Sequence, residues 1–185
     1  MRFSMTLIAL LACSQASFIQ PKQEKKVVPF DQHQNDPCGN PLKESMVWTS
    51  VSGRVVRVVD GDTLIISIQD KRRKTVHLVG IDSPGEELRE ESRIYLEQMA
   101  LDTDVEVLLN PSHWDSKQPK PAEITGVVYI RSGSGMDANL AMIEAGMARY
   151  KKPKPYEMSN YSECRYKNAE TKAREAKRGL WHGAV

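Results

Sequence analysis

The sequence predicts an α+β, mainly β fold: a five-stranded barrel with about three flanking helices. Three observations predict it. The β-branched runs between residues 51 and 81 are interrupted at turn-forming dipeptides. Two further alternating runs follow one stretch with helical spacing, and beyond residue 136 the apolar residues recur at helical intervals. At 185 residues, 40% hydrophobic and 27% charged, the chain has the makeup of one modest globular domain, neither a membrane protein nor a disordered one.

The elements follow in order. "VSGRVVRVVDGDTLIISI" holds two β-branched runs parted by Asp60-Gly61, a dipeptide suited to a tight hairpin. A break at "QDKRRK" leads to a third run, Thr75 to Ile81, so three strands form a meander. After Ser83-Pro84-Gly85, "EELREESRIYLEQMA" places Leu88, Tyr95, Leu96 and Met99 at helical spacings, with glutamates in its first turns where the helix dipole favours them. "DVEVLLN" alternates as a fourth strand and "EITGVVYI" reads as a fifth after the loop "PSHWDSKQPKPA". Five short strands with a helix between the third and fourth is the order of an OB-type barrel. In "MDANLAMIEAGMA", Met136, Leu140 and Ile143 form an apolar stripe and Gly146 stops the helix. In "YSECRYKNAETKAREAKRGLW", Tyr166, Ala169, Ala173 and Ala176 share a face, Gly179 ends the helix, and Trp181 serves as a packing anchor.

The N-terminal region reads differently. "MRFSMTLIALLACSQASFIQ" has one arginine before a short apolar run and then small residues, the layout of a signal peptide over 1–16. Cleavage at an A-x-A-like site and lipoprotein processing with acylation of Cys13 both fit. The expected localisation is therefore export, either secreted or periplasmic, or held at a membrane through Cys13. Residues 17–46 lack a sustained period and read as a flexible arm, leaving 47–185 as the folded domain. Cys38 and Cys164 are then the pair free to react, and in an oxidising compartment a disulfide and two free thiols are both open.

Four separated motifs, "VVDGDTLIIS", "HLVGIDSPG", "MDANLAMIEAGMARY" and "AETKAREAKRGLW", together resemble the staphylococcal nuclease (thermonuclease) family over about residues 51 to 181. The resemblance implies an OB-fold barrel with flanking helices and an ancestral calcium-dependent hydrolysis of phosphodiesters in DNA and RNA. It also implies a metal site: the second aspartate of D-G-D-T, the aspartate ending the third strand and the carbonyl of the next residue correspond to Asp62, Asp82 and Ser83. Such oxygens suit Ca²⁺, but they are few, so binding should be weak. Turn chemistry alone offers the other reading, with Asp62 capping the hairpin and Asp82 bonding within the turn before Pro84.

The catalytic positions depart from the family pattern. Where the family has an arginine, a glutamate and a second arginine, this chain has His77, Gly85 and Thr125. Guanidinium forks stabilise charge building on phosphate oxygens and a carboxylate takes the proton of attacking water, and removing one such group commonly costs on the order of 10² to 10⁴ in rate. Among substitutes, Glu86 lies one residue beyond the expected glutamate, and His77 is the other candidate catalytic group. Arg73, roughly 13 Å from His77 along an extended strand, cannot supply the same fork. Lys120 is a point charge and not a bidentate arginine.

Charge is unevenly distributed. Residues 149–178 hold ten Lys or Arg against four Asp or Glu, whereas 86–104 hold seven acidic residues against two basic. "KKPKP", with Lys151, Lys152 and Lys154 beside Tyr150 and Tyr156, is the candidate for phosphate contact and base stacking. Three functions follow as expectations: a catalytically degenerate exported domain that binds nucleic acid or another anionic partner, an active secreted nuclease with a rearranged site, or an envelope interaction module without nucleic acid.

Overall fold

The computed structural model describes residues 36–39, 48–69, 71–109, 122–131 and 135–183. The expected leader over 1–16 with Cys13, most of the arm, and Lys120 lie outside the described residues.

Five strands close a barrel of OB type. β1 (Thr49–Asp60) pairs antiparallel with β2 (Thr63–Ser67) and with β5 (Asp104–Leu109). Strand β2 pairs with β3 (Arg73–Leu78), and β5 with β6 (Glu123–Ile130). A parallel pairing of β3 with β6 closes the ring. The inward positions form one core that includes Val55, Leu64, Ile66, Val76, Val105, Val107, Val128 and Ile130, all fully buried.

Strand β1 does not alternate simply, because its pairing with β2 slips between Val55 and Arg57 and again between Val58 and Asp60. Each bulge adds one residue. Val56 and Val59 therefore turn outward while Val55 and Val58 face the core.

The third strand is shorter than the hydrophobic run predicts. It stops at Leu78, and Gly80, with φ of +76°, redirects the chain in a conformation open to glycine. Ile81–Asp82 then form β4, outside the barrel sheet, and pair antiparallel with β8 (Arg149–Tyr150). Asp82 thus belongs to a separate two-stranded ribbon and does not end a barrel strand.

Helix α1 (Arg89–Ala100) follows one turn of 3₁₀ helix and buries Ser92, Leu96 and Ala100. Met136 is not part of the apolar stripe: with Asp137 it forms β7, paired to β6, and it is exposed. Helix α2 (Ala138–Glu144) begins there, N-capped by the Asp137 carboxylate, which accepts the Leu140 N–H at 3.0 Å. Helix α3 (Asn160–Glu175) buries Tyr166, Ala169 and Ala173, but Ala176 is its exposed C-cap, so the helix ends four residues before Gly179. Half-buried Trp181 packs under the Arg174 guanidinium, 4.0 Å from the ring centre. A disulfide joins Cys38 to Cys164 of α3, and Tyr161 Oη donates to Asp36 Oδ2 at 2.9 Å. Residues 36–39 of the expected arm are thereby fastened to the domain.

Candidate phosphate-binding cleft

The β1–β2 hairpin sets the first wall. Its two loop residues are Gly61 and Asp62, with Asp60 paired to Thr63. The glycine is required by space: a Cβ there would lie 1.8 Å from Ser92 Oγ of α1. Asp60 Oδ1 accepts the Asp62 N–H at 3.1 Å, so Asp60 caps the turn and leaves the Asp62 carboxylate to reach outward. Asp62 Oδ1 accepts from Thr63 Oγ1 at 2.8 Å and Oδ2 from the Ser83 N–H at 3.0 Å. Burial alone would push the Asp62 carboxyl up, but the Ser83 N–H and hydrogen bonds shared with Asp60 and Thr63 hold it below the ordinary range. Asp60 moves the other way, raised by burial and then by its neighbour Asp62.

The floor comes from the closing pair of strands. In the parallel register of β3 and β6, His77 stands opposite Thr125, and Thr75 opposite Glu123. Those are the two positions at which the family pattern calls for arginine, and the register sets them side by side. His77 Nδ1 lies 3.2 Å from Thr63 Oγ1. A hydroxyl has one proton, and Thr63 gives it to the Asp62 carboxylate, so His77 Nδ1 is assigned as the donor to Thr63. The other ring nitrogen faces the Glu123 carboxylate at 3.7 Å.

The opposite wall follows β8. Lys151, Lys152, Pro153 and Lys154, with Glu157, line a cleft of about 310 Å³ together with Asp62, His77 and Thr125. Lys151 is engaged: its Nζ lies 2.7 Å from Asp82 Oδ1, and its backbone N–H donates to Gly80 O at 2.9 Å. Tyr150 does not join this wall. Its hydroxyl donates to Glu163 Oε1 at 2.7 Å, its N–H to Glu170 Oε1 at 3.0 Å, and the Lys167 ammonium sits 5.4 Å from its ring centre. The tyrosine anchors α3 to the ribbon, with the Lys167 ammonium over its ring. Tyr156, 71% exposed, lies beside the lysines.

Glu86 is likewise apart from the cleft. It lines a separate hollow with Gly85, Arg149 and His182, away from Asp62 and His77. The basic excess of the C-terminal region is partly neutralised within α3 by Lys167–Glu163 and Arg174–Glu170 pairs at 2.6 and 3.3 Å.

Asp62, Asp82 and the Ser83 carbonyl would be the ligands of a divalent ion. They fit it poorly. Three protein oxygens fall short of the roughly six to eight that Ca²⁺ takes, and one of the two carboxylates already holds an ammonium. Among the described residues no group of three or more His, Cys, Asp or Glu is placed to hold a metal.

Thr63, Glu123 and Asn139 also shape the cleft, although their roles are hidden in the sequence. Thr63 lies inside D-G-D-T and would be read as a strand residue. Glu123 reaches His77 only through the parallel pairing of distant strands. Asn139 is fully buried: its Oδ1 accepts the Val128 N–H at 3.0 Å, and its Nδ2 donates to Val79 O at 2.8 Å and Gly126 O at 3.2 Å. It clamps β6 to the chain just beyond β3 and so holds the floor in register.

Comparison with known proteins agrees with this architecture. Residues 75–183 match the family described as staphylococcal nuclease homologue. An Escherichia coli protein named as an uncharacterized endonuclease is 34% identical over 140 residues, which cover 75% of this chain and 82% of that protein.

Proposed function

Because the chain belongs to the staphylococcal nuclease homologue family, we propose that it is an exported member that binds the phosphate backbone of nucleic acid in this cleft without hydrolysing it. The observation that carries the reading is the pairing of His77 with Thr125 on the floor, where two guanidiniums would be needed to stabilise the charge of phosphoryl transfer. Gly85 supplies no base, and Glu86 faces another hollow. Lys152 and Lys154 remain on the wall as point charges that attract phosphate without imposing a bidentate geometry. Tyr156 is exposed beside them, an aromatic of the kind on which unpaired bases stack.

Export is supported by the layout of residues 1–16 and by the Cys38–Cys164 disulfide, which suits an oxidising compartment. Calcium, the family's metal, enters this reading only as a weak ligand of Asp62, Asp82 and the Ser83 carbonyl.

The deciding experiment incubates the purified chain with single-stranded DNA and RNA, with calcium and with chelator, and follows cleavage and binding together. The expected result is binding that weakens with salt and no cleavage, with the salt slope reduced by about two when Lys152 and Lys154 are both reversed to glutamate. Calcium-dependent cleavage lost in Asp62→Ala would overturn the reading in favour of an active nuclease. Failure to retain either nucleic acid at low salt would leave a domain that recognises some other partner.

A further inference from the structure

The cation position itself carries an inference beyond nucleic-acid binding. Asp62 and Asp82 approach each other through Ser83, whose N–H donates to Asp62 Oδ2 at 3.0 Å. Into this junction comes Lys151, with its ammonium 2.7 Å from Asp82 Oδ1. The lysine is delivered by backbone: β8 pairs Arg149 with Asp82, and the Lys151 N–H bonds Gly80 O at 2.9 Å. Asp62 lines the same cleft as Lys151.

We propose that Lys151 is a tethered replacement for the family's calcium, a built-in cation that pairs with Asp82 at the Asp62–Asp82 position and competes with any divalent ion for it. The inference rests on reading Asp62 and Asp82 as the inherited cation position, not on nucleic-acid binding. Three protein oxygens make a weak calcium site, so even an exposed intramolecular ammonium is an effective competitor. An entering ion must displace the ammonium and then sit beside its charge, two penalties of the same sign. An ammonium also lacks the open coordination positions with which a metal ion orients and activates water. It can offset the charge of one carboxylate, but it cannot perform the metal's chemistry.

Calcium titration of the full chain, followed by the ¹H–¹⁵N NMR signal of the Ser83 amide, tests this without reference to nucleic acid. In the unaltered chain and in Lys151→Arg, calcium should move the Ser83 signal only at high concentration. In Lys151→Met the response should saturate at a calcium concentration lower by at least about tenfold. Adding Asp82→Asn should abolish that gain, and Lys152→Met alone should produce none. Equal calcium affinity in the unaltered chain and Lys151→Met would overturn the proposal, as would a folded Lys151→Met chain whose Ser83 amide ignores calcium. Either failure leaves the binding of nucleic acid to be judged by its own assay.

Discussion

Gly61 shows how a single position couples the hairpin to the helix above it. With a Cβ only 1.8 Å from Ser92 Oγ and 2.9 Å from Ser92 Cβ, alanine at 61 must push α1 away from the turn. Ser92 cannot simply rotate aside, because it is buried and its hydroxyl donates to Met147 O at 2.7 Å. Gly61→Ala should therefore destabilise the domain by about 1–3 kcal/mol in urea unfolding. Combining it with Ser92→Gly should cost less than the sum of the two single changes, the mark of a shared contact. Asn139 acts by the opposite logic, through bonds it makes and not through space it leaves. Asn139→Ala would strip the partner from the Val128 N–H and a donor from Val79 O, at a cost of about 2–4 kcal/mol in the same assay. Neither role is legible in the sequence: D-G-D suggests a turn glycine chosen for its backbone, and an asparagine in a helical run suggests a solvated face.

Among the elements, the short helix α2 depends on a buried carboxyl. Asp137 Oδ1 accepts both the Leu140 N–H and the Tyr166 hydroxyl, while Oδ2 is buried without a hydrogen-bond partner among the described residues. Burial raises the Asp137 pKa above its ordinary value, against the bonds from Leu140 and Tyr166 that pull it down. A carboxyl whose folded pKa is raised binds its proton more tightly in the folded state. Its contribution is fully present below the unfolded pKa of about 3.9 and is lost as pH rises through the folded value. Asp137→Asn retains a capping oxygen and removes the titration, so unfolding free energies measured from pH 4 upward should lose this falling component. The disulfide acts on a longer scale, linking positions 126 residues apart. Reduction should lower stability by about 2–5 kcal/mol while far-UV circular dichroism of the barrel persists. The periodic elements were readable because burial imposes a period: β2, β5, β6, α1 and the Tyr166, Ala169 and Ala173 face of α3 lie where their patterns put them. The failures have a common cause. Val55, Val56, Val58 and Val59 are chemically identical, so the bulges that sort them leave no mark in the sequence. Two-residue strands such as β4 and β7 are too short to carry a period at all.

At the scale of the whole molecule, the candidate site is an intersection of distant segments, and its composition was more legible than its geometry. The motifs located Asp62, His77 and Asp82, and the family pattern located Thr125, but only the closure of β3 on β6 sets His77 beside Thr125. Only the β4–β8 ribbon brings Lys151 to Asp82 and turns Tyr150 toward α3. If the barrel has kept its shape while its chemistry was removed, the chemistry should be returnable. Arginines at 77 and 125 would project from adjacent, in-register strands, and Thr125 is exposed. Gly85 has open space around its missing side chain, with nothing within 4 Å of a built Cβ, so a glutamate fits there. The chain carrying His77→Arg, Thr125→Arg and Gly85→Glu, with Lys151→Met to clear the cation position, should cleave single-stranded DNA in calcium. The rate should exceed that of the unaltered chain by at least ~10² and fall back with chelator, as expected when fixed positive charge and a base are regained together. A folded quadruple variant that binds DNA but cuts no faster would mean that the loss lies in the path of the backbone around the cleft. The side chains at these four positions would then be consequences of a site whose shape had already changed.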